Sequence, residues 1–230
     1  MKRIFLFFAT IALMLIYNIT YAQEVFFPTK AGTVMVFAHK DAKGSITRYY
    51  RHTIKNVEGS GSNLTISYVM EELDKNQKPL KNPVEMPLTV TIKDDVMYLD
   101  MKELFAGQLK DTQMSVEFSG VPQELPSKMQ PGQSLKDANM TMTINAGPIK
   151  MNTEILFTDG KCEAIEDITV PAGTFKCYKV SRTATTTAMR MKSVTTTVSW
   201  YSLGIGVVKS ESFDSKNKPT NSMELVSLNK

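Results

Sequence analysis

The sequence predicts a mainly β fold: a curled antiparallel sheet, half-barrel in outline, with one short helix on its concave side. Three observations predict it. Apolar residues alternate with period two from Thr33 onward, clusters of turn residues interrupt the alternation at short intervals, and a single segment carries helical spacing instead. The links between successive strands are too short for parallel crossovers, so neighbours are expected to run antiparallel.

The chain begins MKRIFLFFATIALMLIYNITYAQ. Lys2 and Arg3 form a charged n-region, Ile4 to Ile16 an apolar stretch, and Thr20 and Ala22 stand three before and directly before a cut ahead of Gln23. Residues 1–22 are therefore expected to leave as a signal peptide, with 23–230 forming a single β domain. Asn18 and Thr20 close the apolar run before the roughly 18 to 20 residues that span a bilayer. The stretch has no cysteine to carry a lipid, so the expected mature form is soluble and periplasmic or secreted, with no transmembrane segment. Loss of Lys2 and Arg3 lowers the formal net charge from +4 to about +2. Basic and acidic residues are interspersed along the chain, which excludes a nucleic-acid partner.

The strands follow in order. A long strand centred on Tyr49 lies between turns at Asp41 to Gly44 and Glu58 to Asn63. In NLTISYVMEEL, Leu64, Ile66, Tyr68 and Met70 share one face while Asn63, Thr65 and Ser67 share the other, a half-buried strand closed by DKNQKP. Further strands are expected at Glu85 to Ile92, Val96 to Leu99, Met114 to Phe118, Asn139 to Asn145 and Lys150 to Phe157. The series continues with Cys162 to Val170, Phe175 to Thr185, Lys192 to Tyr201, Gly206 to Ser212 and Asn221 to Leu228. Asp159-Gly160 is the strongest short hairpin signal among the connections. In DMKELFAGQLK, Asp100 and Glu103 match a capping box, and Met101, Leu104, Phe105 and Leu109 fall on one helical face. The next stretch, SGVPQELPSKMQPGQSL, has three prolines and reads as an extended surface connection.

Catalytic chemistry is sparse. His39 and His52 are the sole histidines, and no metal-binding, nucleophile-elbow or phosphate-loop motif is present, so no enzyme, cofactor or metal is expected. His52 alternates with Tyr50 and Ile54 and reads as a solvated or hydrogen-bonded strand residue. Cys162 and Cys177 would meet oxidising conditions after export, which favours a disulfide. If Val170 pairs with Phe175, however, the two sit about six residues apart along the hairpin, roughly 20 Å against the ~7 Å that a disulfide allows. Compartment and register thus oppose each other, and the bond stays open. Met140 with Met142, and Met189 with Met191, stand in M-x-M spacing that points both thioethers one way. Such pairs suit a soft metal ion or an adaptable apolar surface, and ordinary packing accounts for them more simply.

In ITVPAGTFKCYKV, Pro171 presets a turn, Gly173 accepts positive φ, and Val170 and Phe175 flank it. In WYSLGIGVVK, Gly204 and Gly206 permit a tight bend between two strands. These stretches carry a resemblance. Glu166 to Phe175, Trp200 to Lys209 and the D-x-K-x-K run at Asp214 to Lys218, together with weaker motifs at Phe27 to Thr33 and Asp41 to Gly44, resemble exported Bacteroidetes-type proteins labelled TapB-like, within a domain-of-unknown-function group. The resemblance implies a curled sheet with a helical element on its concave side, similar to the lipoprotein carriers LolA and LolB, and it implies no catalytic residue.

The expected function is that of a non-enzymatic exported binding protein for a lipid-like or other apolar ligand. Leu104, Phe105, Met140, Met142, Ile144, Met189, Met191 and Trp200 are the candidate cavity residues. The alternative is an envelope structural or protein-interaction module with a filled core.

Overall fold

The computed structural model describes residues 25–83, 85–99, 115–146 and 149–229. Within them the strands are β1 (Val34–Asp41), β2 (Ile46–Ser60), β3 (Asn63–Leu73), β4 (Glu85–Lys93), β5 (Val96–Leu99), β6 (Ser115–Val121) and β7 (Gln123–Pro126). They continue as β8 (Ala138–Ala146), β9 (Ile149–Val170), β10 (Gly173–Ala188), β11 (Met191–Ser202), β12 (Gly206–Asp214) and β13 (Pro219–Asn229). All thirteen belong to one antiparallel sheet, in the order β6-β8-β9-β10-β11-β12-β13-β1-β2-β3-β4-β5-β7.

The two edge strands of that order, β6 and β7, are separated in the chain by Pro122 alone. Laid flat, thirteen strands at roughly 4.8 Å spacing would hold the edges on the order of 58 Å apart. Two Cα steps reach about 7 Å. The sheet must therefore curl until its edges meet, and the result is a nearly closed barrel, more complete than the half-barrel expected from sequence.

Three turns repeat one device. The Asp41 carboxylate accepts the Lys43 and Ser45 amides, both at 2.9 Å. Asp74 accepts those of Asn76 and Lys78, both at 2.8 Å, and Asp214 those of Lys216 and Lys218, at 2.8 and 2.9 Å. Each carboxylate organises a turn whose residue three beyond the Asp has positive φ: Gly44 (81°), Gln77 (60°) and Asn217 (59°).

One end of the barrel is closed by the segment entering β1. The Gly204 amide donates to the Val25 carbonyl at 2.7 Å, and a Cβ on Gly206 would lie 3.1 Å from the Phe26 carbonyl oxygen. The glycines of the β11–β12 turn thus make room for this segment. Phe26, fully buried, packs edge-on against Tyr178 at 5.1 Å and tilted against Tyr201 at 6.0 Å.

Several expectations change. Asp159-Gly160 is no hairpin: β9 runs through it, and the pair forms a bulge opposite Arg182, with Asp159 at φ 54°. A type I′ hairpin would need positive φ at both residues, and only Asp159 has it; the continuous partner strand β10 makes the pair a bulge. The proline-bearing stretch is not a surface connection throughout. Its Gln123–Pro126 portion is β7, paired with β5, and Leu125, Met129 and Leu135 are buried. The segment after it docks on β9, with Leu135 donating to Gly160 at 2.7 Å and Cys162 to Gln133 at 2.9 Å. The expected helix at Asp100 to Lys110, with Leu104 and Phe105, lies outside the described residues, as do residues 1–22. Among the described residues there is no helix, and so none long and apolar enough to cross a membrane.

The β9–β10 hairpin is tighter than expected: Gly173, not Phe175, pairs with Val170, and Cys177 faces Glu166. Cys162 faces Val180, three residues further along β10 and on the opposite face, because a bulge at Lys179/Val180 separates the two rungs. Both thiols are free and fully buried. Burial chiefly, then Asp167 and Glu166, pushes the Cys177 thiol up to about 11, and burial also raises that of Cys162. The protein should therefore show no reaction with a thiol reagent while folded and two reactive thiols in denaturant. Mass spectrometry after alkylation, under non-reducing conditions, checks this; loss of two protons with no alkylation would establish the disulfide instead.

Candidate functional site

The register decides which side chains point into the barrel. Met35 on β1 faces His52 on β2, and Phe37 stacks against the same imidazole at 4.8 Å. Tyr68 on β3 lies 5.5 Å from His52 on its other flank. These four, with Val90, Met97 and Met223, form the wall of a half-open cavity of about 280 Å³. Phe26, Phe27 and Ile205 form its floor. Its polar groups are few: His52, Tyr68, Tyr201 and the hydroxyls of Ser199 and Ser210, which hydrogen-bond each other at 3.0 Å.

A second compartment of about 200 Å³ adjoins the first, and Ser199 and Tyr201 line both. Its wall is more polar. Val180, Arg182 and Ala184 alternate inward along β10, Thr197 and Ser199 along β11, and Gln123 and Glu124 come from edge strand β7. This compartment therefore lies beside the seam. Glu124 is held by Lys136 at 2.9 Å. Arg182 donates to the Lys136 carbonyl at 3.4 Å and extends past Gly160, where a Cβ would stand 3.2 Å from its Nη2. Burial lowers its pKa, against the attraction of Tyr201 and Asp137.

The sequence-predicted residues scatter. Met140, Met142 and Ile144 do share the inward face, aligned with Ile155, Thr153 and Met151 of β9, but none of them lines either compartment. Met189 lies in the β10–β11 turn and Met191 opens β11, 65 % and 70 % exposed, with Met189 and Arg190 at positive φ. Trp200 is buried on the face opposite to Tyr201, where its indole N–H donates to Glu166 at 2.7 Å. The ammonium groups of Lys209 and Lys179 lie 4.9 and 5.5 Å from its ring. Sequence reasoning missed Arg182 and, for His52, missed its aromatic neighbours: the imidazole is half-buried between Phe37 and Tyr68. Tyr50-Arg51-His52 places the histidine in a polar run, while the signal that could have found it was its inward parity with Ile54 in the same strand.

A family model described as DUF3108-like matches residues 30–225. The chain belongs to the DUF3108-like family. Two crystal structures share the fold of this DUF3108-like chain. One is a proposed exported protein of Bacteroides fragilis with a YmcC-like fold, at a TM-score of 0.68 and 21% identity, covering 90% of this chain and 100% of that one. The other is a proposed lipoprotein of Parabacteroides distasonis, at 0.70 and 21%, covering 90% and 99%. Among curated proteins, none matches significantly. The stretches singled out in the sequence of this DUF3108-like protein touch each other: Glu166, just ahead of VPAGTF, accepts the hydrogen bond of Trp200, and the glycines after Trp200 receive the Val25–Phe26 backbone.

Burial, with a smaller contribution from His39, lowers the His52 pKa from 6.5 to about 4. His39 is lowered too, by burial and then by Arg48. Between pH 6.5 and about 4 the unfolded chain binds the proton that folded His52 refuses. Stability is thus full above the unfolded value and is lost as pH falls through this window. Urea unfolding should show a loss on the order of 2 kcal/mol between about pH 7 and about pH 5 from this residue, with His39 adding to it. In His52→Phe most of that pH dependence should vanish; an unchanged slope would place His52 in water.

Proposed function

We propose that this protein is a non-enzymatic binding protein of the cell envelope or the medium that holds a small apolar or lipid-like ligand inside its curled sheet. The observation that carries the reading is the cavity of about 280 Å³ walled by Met35, Phe37, Tyr68, Val90 and Met97. Left empty, such a volume forfeits dispersion contacts worth several kcal/mol. Its lining is aromatic and aliphatic with a few convergent polar groups, the make-up of a ligand site.

The N-terminal pattern supports export, and the fold relatives from Bacteroides and Parabacteroides, described as an exported protein and a lipoprotein, agree with it. A carrier of the kind that LolA and LolB represent is the model for the activity. The imidazole of His52 is held neutral by burial, so the apolar compartment presents no charge of its own.

N-phenyl-1-naphthylamine, a neutral apolar fluorophore, should gain intensity on titration into the protein purified without detergent. Val90→Phe places a ring in the cavity and should weaken that binding about tenfold or more. Native mass spectrometry of protein drawn from its own envelope fraction should show a co-purifying apolar mass. No fluorescence gain, together with a clean apo mass, would overturn the reading in favour of an envelope structural or interaction module.

A further inference from the structure

The ligand reading leaves one feature unexplained. A guanidinium has five N–H donors in a planar fork. Arg182 is half-buried, and among the described residues it has one hydrogen bond, the long 3.4 Å contact to a backbone carbonyl, and no carboxylate within ion-pair distance. The acid nearest to it in the compartment wall, Glu124, is engaged by Lys136. Removing a cation from water without a counter-charge is costly, so such a group is normally paired or coordinates something.

The surroundings fit an incoming anion. The position is set by construction: the bulge at Asp159-Gly160 puts two residues of β9 opposite Arg182, and the absence of a Cβ on Gly160 lets the guanidinium lie flat against the strand. The hydroxyl-bearing residues Thr197, Ser199 and Tyr201 line the same compartment. Of the acids close by, Glu124 is neutralised by Lys136, and the exposed Asp137 attracts Arg182 without reaching ion-pair distance, so the guanidinium in the compartment wall has no carboxylate bound to it. Ser199 and Tyr201 then lead directly into the apolar cavity.

We infer that the ligand is a single-chain amphiphile with a carboxylate head, such as a fatty acid, whose head pairs with the Arg182 guanidinium while its chain enters the cavity walled by Phe37, Tyr68 and Val90. This deepens the proposal of an apolar ligand and rests on it. The planar fork of arginine matches a carboxylate bidentately, which a neutral head cannot exploit. The head then rests in the compartment beside the seam between β6 and β7, and the chain in the apolar cavity that Ser199 and Tyr201 join to it.

The test compares decanoate with decanol by isothermal titration at neutral pH, on the wild type, Arg182→Gln and Arg182→Lys. Decanoate should bind the wild type about tenfold or more tighter than decanol. Arg182→Gln should remove that preference while decanol binding stays as it was, which also shows that the variant is folded. Arg182→Lys should restore part of the preference through its charge. Equal affinity for the two probes, or a decanoate affinity indifferent to Arg182→Gln, overturns the inference while leaving an apolar ligand in place. Failure of both probes to bind the wild type overturns the inference together with the reading on which it rests.

Discussion

The chain passes from one edge of its sheet to the other through a single proline, and the rest of the architecture follows from that constraint. Edge strands expose unpaired N–H and C=O groups, and a thirteen-stranded sheet left open would offer two of them. Placing Val121 and Gln123 on opposite edges forces the edges together without any hydrogen bond between β6 and β7. Curvature here is imposed by connectivity. The bulges in β2, β9, β12 and β13 are where the ladder yields to it, each adding local twist.

Closure creates a second demand. An eight-stranded barrel has an interior that side chains just fill, and the diameter grows with strand number. Thirteen strands enclose more space than inward side chains occupy, so other parts of the chain must enter or the interior must stay open. The protein does both. Val25 and Phe26 seal one end through the β11–β12 glycines, and Met129 and Leu135 are buried on the segment that crosses to β9. What remains is the pair of compartments meeting at Ser199 and Tyr201. The cavity is thus a consequence of strand number and of how far the chain's own segments reach inside.

Period-two alternation made the strands legible, and Leu64, Ile66 and Tyr68 face inward as their spacing implies. The carboxylate-led turns at Asp41, Asp74 and Asp214 were equally legible, because their hydrogen bonds are local. What could not be read depends on pairing between distant segments. Asp159-Gly160 can reverse the chain with positive φ at both residues or bulge it with positive φ at Asp159 alone, and the presence of β10 alongside settles which. The methionines misled for a similar reason. Alternation gives the face on which Met140 lies, but not which part of a long sheet is left unfilled, and Met189 falls beyond the strand end altogether.

Trp200 and Tyr201 show how one dipeptide serves two surfaces. Successive strand residues point to opposite faces. Trp200 turns outward, clamped between Lys179 and Lys209 with Glu166 accepting its N–H, an arrangement in which each cation contributes about 0.5 to 1 kcal/mol. Tyr201 turns inward, between the two compartments and against Phe26. The clamp therefore fixes the rotation of β11 about its own axis, and a one-residue slip would exchange an indole for a phenol inside the barrel. An outer contact with no ligand to touch thus sets the position of the residue that joins the apolar cavity to Arg182. Its place in the WYSLGIGVVK stretch needs no catalytic explanation: the same ten residues supply the indole and Lys209 of the clamp, the inward tyrosine and the glycines that accept the plug.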